Sequence, residues 1–261
     1  MSANNKHASD PARLLGLLWR SRTGGGAHKH GPKPSLSVDR LVETAVAIAD
    51  AEGIEAVTVR RLARDMGVAA MSLYTYVANK SDLVELMIDA VYLELPERSP
   101  AEGGWRARVT AVAEDNQALY RRHPWMAEVF SERPPLGPGV LAKYERELRA
   151  LEGLGLSDVE QDAALTFLLN FVRAAARDEI QAARLQQASA QTNRDWWEAQ
   201  ADAIAALIDP AAFPTAARVG SAAGEAIGGA YSAASAYAFG LERVLDGLGQ
   251  LIAAKARPDA D

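Results

Sequence analysis

The chain contains no cysteine, so neither a disulfide framework nor a thiolate metal centre can form. No apolar run is long enough to span a bilayer. The LLGLLW patch at Leu14 to Trp19 is too short for a signal-peptide core and has no convincing cleavage pattern after it, so a cytoplasmic protein is expected. Aromatic and β-branched runs are scarce, which leaves little material for strands. Also missing are a Gly-rich phosphate loop, a Gly-x-Ser-x-Gly elbow and a His-Glu-x-x-His helix. Acids are plentiful but none is convincingly paired, and His123, followed by Pro124 and Trp125, reads as structural. Neither an enzyme nor a cofactor is expected. His28 and His30 sit in a Gly-rich tail, where solvated histidines are the ordinary case and a metal site is not.

What remains is an Ala-rich chain of 261 residues, enough for one or two domains, with Pro and Gly clustered between long periodic segments. That pattern is all-α. The net charge of −6 argues at first against a nucleic-acid partner, but its distribution reverses the argument. Residues 1–80 hold eleven Lys/Arg against seven Asp/Glu, and the remainder seventeen against twenty-seven. A basic head on an acidic body marks the N-terminal part as the end that faces phosphates.

The most informative stretch is Thr58 to Lys80. A short helix from Val59 to Met66 stops at Gly67, and another starts near Ala70. Helices so close together must cross steeply, with a small residue at the contact (Ala63) and one tolerant of positive φ at the turn (Gly67). Leu62, Met66, Val68 and Leu73 fall inward, leaving Arg60, Arg61, Arg64, Met71, Ser72 and Thr75 outside. Ala-x-x-x-Gly between short helices occurs both in plain αα-hairpins and in helix-turn-helix units, so this spacing alone leaves both open. An outer face of Ala, Met, Ser and Thr beside tyrosines suits a major groove better than open water.

Around this unit, Ser37 can cap a helix over about 37–52 whose inward stripe is Leu41, Ala45, Ile48 and Ala49, with Gly53 ending it. Thr58 can cap the next helix, whose bare amides are natural phosphate ligands, with Arg60 one turn in. Asn79 or Ser81 can cap a further helix that Pro96 stops, with Lys80 placed for a phosphate. From Leu36 to Leu95 the chain resembles the DNA-binding domain of the tetracycline-repressor (TetR) family of bacterial regulators. The resemblance rests on Val38 to Val42, Asp50 to Gly53, Val57 to Ala63, Met71 to Val77, and Asn79-Lys80, in order and spacing.

The resemblance implies a residue-by-residue assignment. Thr58 and Arg60 contact the operator from the first helix of the motif. Ala70, Met71, Ser72 and Thr75 face the bases, and Tyr74, Tyr76 and Lys80 face phosphates. Ala70 and Met71 stand where other members place long polar side chains, so van der Waals contact with thymine methyls and phosphate contacts should outweigh hydrogen-bonded readout. Leu73 reads as core, and Tyr74 and Tyr76 also have packing roles open to them.

Three parts are expected: a flexible basic arm over 1–35, a three-helix helix-turn-helix domain over 36–96, and a larger helical effector-binding and dimerisation domain over 105–257. The arm holds Lys6, Arg13, Arg20, Arg22, Lys29 and Lys33 against the single acid Asp10, and either follows the duplex or only solubilises the chain. In the C-terminal part, helices are expected at about 105–121, 124–131, 139–153, 157–188, 193–207 and 221–254, with a polar loop over 186–193. Apolar stripes run along 158–185 and along the last helix, whose first half is dense in Gly, Ala and Ser. Two such helices from each of two chains would make a four-helix dimer interface; an intramolecular bundle is the other arrangement.

Trp105, Trp125, Phe130, Phe167, Asn170, Phe171, Arg173, Asp178, Trp196, Trp197 and Phe239 gather bulky and polar groups on these helices, as core or as the wall of a cavity. Phe167, Asn170, Phe171, Arg173, Trp125 and Trp196 are the candidate ligand residues. The expected partners are double-stranded DNA with a palindromic operator, a small apolar or aromatic effector, and a second copy of the chain, with no membrane. As the family implies, the effector releases a repressor. A sequence-non-specific architectural DNA binder is the alternative.

Overall fold

The computed structural model describes residues 10–21, 36–96, 103–129, 135–189, 192–207, 209–229 and 231–256. Among these the secondary structure is helical throughout, without a strand. The chain forms two compact units, residues 1–165 and 166–261.

The first unit begins with a helix inside the stretch expected to be an arm. Helix α1 (Pro11–Leu18) is capped by Asp10, whose carboxylate accepts from the amide of Ala12 at 3.1 Å, with Pro at its first position. Its Leu14 and Leu18, one turn apart, are buried. Arg13 donates to the carbonyl of Thr75 at 2.8 Å, the Trp19 indole to the carbonyl of Leu136 at 2.8 Å, and Arg20 pairs with Asp39. The Leu14/Leu18 edge and these polar contacts together dock the segment. The remaining arm residues, including Lys6, Arg22, Lys29, Lys33, His28 and His30, lie outside the described residues.

Next come α2 (Val38–Glu52), capped by Ser37, a 3-10 turn at Ile54–Ala56, α3 (Val59–Met66), α4 (Ala70–Leu73) and α5 (Lys80–Tyr92). After these the chain forms α6 (Trp105–Arg122), α7 (Trp125–Glu128) and α8 (Pro138–Leu148). The helices over 124–131 and 139–153 are each several residues shorter than expected, and Phe130 lies outside the described residues. Helix α9 (Asp158–Ser189) follows the helix expected at about 157–188 and runs four residues into the stretch expected to be a polar loop. It is followed by α10 (Asn193–Leu207). The last expected helix is in fact two, α11 (Pro214–Ile227) and α12 (Ala233–Lys255), parted at Gly228, which adopts a left-handed φ of 66°.

The first unit holds together through α5 packed on α2 and α8. Between α5, α6 and α8 lies a buried polar cluster. The Lys143 ammonium donates to Glu147 at 2.6 Å and stands 5.1 Å from the Tyr92 ring, while Asn116 donates to the other Glu147 oxygen at 2.6 Å. Burial pulls the Lys143 pKa down, and the Glu147 carboxylate opposes that shift. Removing one partner of such a pair costs more than removing both. Lys143→Met is therefore expected to destabilise the protein by about 3 kcal/mol, and Lys143→Met with Glu147→Leu by clearly less, as measured from urea unfolding midpoints.

Candidate DNA-reading face and effector domain

The reading face is built by three caps and one turn. The Thr58 hydroxyl accepts from the Arg61 amide at 3.2 Å and starts α3. Gly67 ends α3 with φ 69° and ψ 34°, and the amides of Gly67 and Val68 return to the carbonyls of Arg64 and Ala63 at 3.2 and 3.0 Å. This double return leaves three residues to reach α4, and only a residue without Cβ holds that conformation without strain. Helix α4 is a single turn, prolonged by tight bonds from Thr75 to Ser72 and from Tyr76 to Leu73. The Asn79 side chain then accepts from the Asp82 amide at 2.9 Å and starts α5.

Within this frame Leu62, Ala63, Met66 and Leu73 are buried, while Val68 is half-buried. Met71 is 74% exposed, an unusual state for a methionine in a folded head. Thr58, Arg60, Thr75 and Lys80 are also exposed, and Ala70, Ser72, Tyr74 and Tyr76 are half-buried. All nine residues therefore lie on the motif and none is core. Arg61 departs from its expected place outside: it grips both oxygens of Glu52 at 2.6 Å and Asp65 at 2.6 Å, tying α3 to α2. Those hydrogen bonds hold the Glu52 and Asp65 carboxyls below their usual range and raise the guanidinium's pKa. Lys80 pairs with Glu55 at 3.4 Å, in a contact open to water.

Two joints tie this head to the rest of its unit, and neither was visible in the sequence. Asp89 of α5, itself buried, accepts from the Val140 amide at 2.9 Å and from the Gly139 amide, so a carboxylate of one helix caps the start of another. A methyl group on Gly137 or Gly139 would collide with Asp89, so glycine is needed at both positions for this approach. At the other joint, buried His123 has Nδ1 2.8 Å from Asp50 of α2 and Nε2 3.1 Å from Glu94.

The ligand candidates fall in both compact units. Trp125 belongs to the first unit, is fully buried, and donates its indole N–H to Asp50 at 2.8 Å, which ties α7 to α2. The other five lie in the second unit. Phe167 is 63% exposed, and Trp196 is exposed. Arg173 donates to Asn170 at 3.4 Å. Phe171 stacks on Tyr237 with centroids 5.8 Å apart and lies against Gly240, joining α9 to α12. Among the described residues of this unit, buried side chains are few: Leu168, Val172, Ala176, Leu241 and Leu245.

A short helix pair with an exposed second helix, on a basic head continuous with a helical body, defines a helix-turn-helix DNA-binding protein. Residues 41–87 match the bacterial regulatory proteins of the tetR family, and residues 95–252 match the tetracyclin repressor-like C-terminal domain. The chain belongs to the TetR family. It is 37% identical over 255 residues to the HTH-type transcriptional repressor DrrR1 of Streptomyces coeruleorubidus, covering 97% of this chain and 90% of that protein. An HTH-type transcriptional regulator of Saccharopolyspora erythraea is 35% identical over 142 residues, 54% of this chain and 59% of the relative. Apo ActR from Streptomyces coelicolor is similar in fold, with a TM-score of 0.69 and 26% identity over 86% of this chain and all (100%) of ActR. ActR in complex with actinorhodin is similar at a TM-score of 0.68 and 28% identity, over 83% of this chain and 96% of that one. The protein is thus a DNA-binding transcriptional regulator of this family and not an enzyme. No helix among the described residues is long and apolar enough to cross a membrane.

Two measurements test these assignments. Lys80→Ala should weaken binding to every duplex and make the salt dependence less steep by about one unit, whereas Thr75→Ala should act on some sequences and not others. The Asp89 carboxyl has its pKa raised by burial, with the Val140 and Gly139 amides opposing. The folded chain therefore holds that proton more tightly than the unfolded chain, and unfolding free energy should fall as pH rises past about 4. Asp89→Asn should remove that part of the slope in denaturation midpoints taken across the acid range.

Proposed function

We propose that the protein is a homodimeric repressor that holds a palindromic operator with two heads and is released by a small apolar or aromatic effector. The observation that carries the reading is the exposed face of α4, with Met71 outermost. Met71 and Ala70 rest on thymine methyls, Ser72 and Thr75 hydrogen-bond base edges, and Thr58, Arg60, Tyr74, Tyr76 and Lys80 hold phosphates.

The case for a second copy comes from unit two, where large apolar side chains stand in water. Phe239 is 66% exposed, with Phe167, Val219, Ile227 and Tyr231 also exposed in the single chain. Exposed apolar surface of that extent belongs against a partner. A lone head reading one half-site would bind weakly, which favours pairing on functional grounds too. The effector reading is supported by ActR of Streptomyces coelicolor, solved with actinorhodin and with (S)-DNPA. In this chain Phe167, Asn170, Phe171, Arg173 and Trp196 are the proposed contacts. The effector acts by favouring the arrangement that cannot meet both half-sites, and a tenfold loss of operator affinity needs about 1.4 kcal/mol of preference. Helix α5 carries that change, being anchored to the head at Asn79 and to α8 at Asp89.

Selection of bound fragments from random DNA, combined with footprinting, should return a palindromic protected site. Uniform coverage would instead mark an architectural DNA binder. Actinorhodin heads a panel of aromatic compounds for the release assay, and operator affinity unchanged across the panel would sink the effector reading. Ala234→Glu with Ala238→Glu, at two exposed positions of α12, should shift the protein toward monomer in sedimentation and weaken operator binding at least about tenfold.

A further inference from the structure

We propose that the helix-turn-helix head carries a ligand site of its own, a cleft that takes a small amphipathic anion such as an alkyl carboxylate. The cleft has a volume of about 310 Å³ and opens between the 3-10 turn, the start of α3, α4 and the start of α5. Its floor is made by Leu41, Val57, Leu62, Leu73, Val77 and Leu83, all buried. Protein interiors leave few voids larger than one water. A space of this size in so small a helical head is at the lower end of ligand sites, which run from about 300 to 1,000 Å³. The floor offers water no hydrogen-bond partner, so hydrocarbon fills it more favourably than solvent does.

The mouth is of opposite character. Thr58, Tyr74, Asn79 and Lys80 line it, and the first turns of two helices, α3 and α5, begin there. Amides at helix starts carry partial positive charge, and Lys80 adds a full one. The Thr58 oxygen accepts from the Arg61 amide, which leaves its O–H to donate outward. The one acid at the mouth, Glu55, pairs with Lys80 at 3.4 Å with its side chain 93% exposed, a solvated contact that an incoming carboxylate displaces at little cost. An apolar floor beneath a positive rim fits a molecule with a hydrocarbon body and a single anionic head.

The consequence for regulation rests on the DNA-contact assignments proposed above. Thr58, Tyr74 and Lys80 at the mouth are also the residues assigned to operator contact, so they hold a carboxylate head or the duplex backbone, not both. Such a ligand competes with DNA directly, without any change in the C-terminal domain.

The test uses the full chain with decanoate and its neutral counterpart decanol, each below its aggregation concentration. Methyl-labelled NMR should show saturable shifts at Leu41, Val57, Leu62, Leu73, Val77 and Leu83. Lys80→Met should weaken decanoate binding about tenfold while changing decanol by less than about twofold, and Lys80→Arg should restore most of the loss. Val59→Phe, which narrows the mouth, should weaken both ligands. If that variant misfolds, the Lys80 pair decides alone. Shifts confined to methyls of residues 166–256, or decanoate affinity indifferent to Lys80→Met, would overturn the site. Decanoate should also raise the Kd for a duplex of random sequence at low salt. Binding in the cleft with no effect on that Kd would overturn the competition. A chain that fails to bind duplex at all would sink the DNA reading and leave the cleft standing.

Discussion

Asp89 is the constraint on which the first unit turns. A carboxylate pushed out of water finds its compensation in the two amides that open α8, and glycines at 137 and 139 let the helices approach closely enough for that exchange. Helix α5 therefore has two fixed points along one continuous rod: the Asn79 cap beside the reading face and the Asp89 clamp on α8. A rod held in this way transmits displacement instead of absorbing it. The His123 bridge between Asp50 and Glu94 adds a third tie, between the end of α2 and the chain just past α5. The head is thus not an independent bead: its compact unit runs on to residue 165, well past the expected domain end at residue 96.

The head was legible because its signals are local. Ser37, Thr58 and Asn79 cap the helices whose starts they mark, and Gly67 takes the left-handed turn that its place after Met66 demands. Each of those inferences needs only three or four consecutive residues. The features that are silent in the sequence depend on pairs distant along it. Asp89 and Val140 lie 51 positions apart, and His123 and Asp50 lie 73 apart. Composition also misleads: the basic character of the first 35 residues hides Asp10-Pro11 and the Leu14/Leu18 edge, which together make a docked helix. Trp125 looks like any large ring on a helix, and only the distant Asp50 shows why it is buried. The Gly/Ala-rich entry to the last helix suggests a close-approach surface, although one of its glycines breaks the helix at 228.

The two units contrast in where they place their apolar residues. The head and α6 to α8 bury a core around Leu41, Leu86, Met87 and Leu119 while leaving Met71, Leu93 and Leu136 exposed, whereas the second unit buries few side chains among the described residues and leaves Phe167 and Phe239 outward. The close Phe171–Tyr237 stack ties α9 to α12 inside that second unit, so its exposed rings are displayed by helices already joined to each other. Such a surface is pre-shaped, and whatever covers it meets little cost in ordering it.

The grip of Arg13 on the Thr75 carbonyl bears on how such proteins can be recombined. The reading turn is braced by a residue 62 positions ahead of Thr75, so a graft of residues 36–96 onto another regulator's body would leave that brace behind. A working chimera of this protein needs its crossover ahead of Asp10, and any partner grafted onto the N-terminus needs enough slack to let α1 reach its seat.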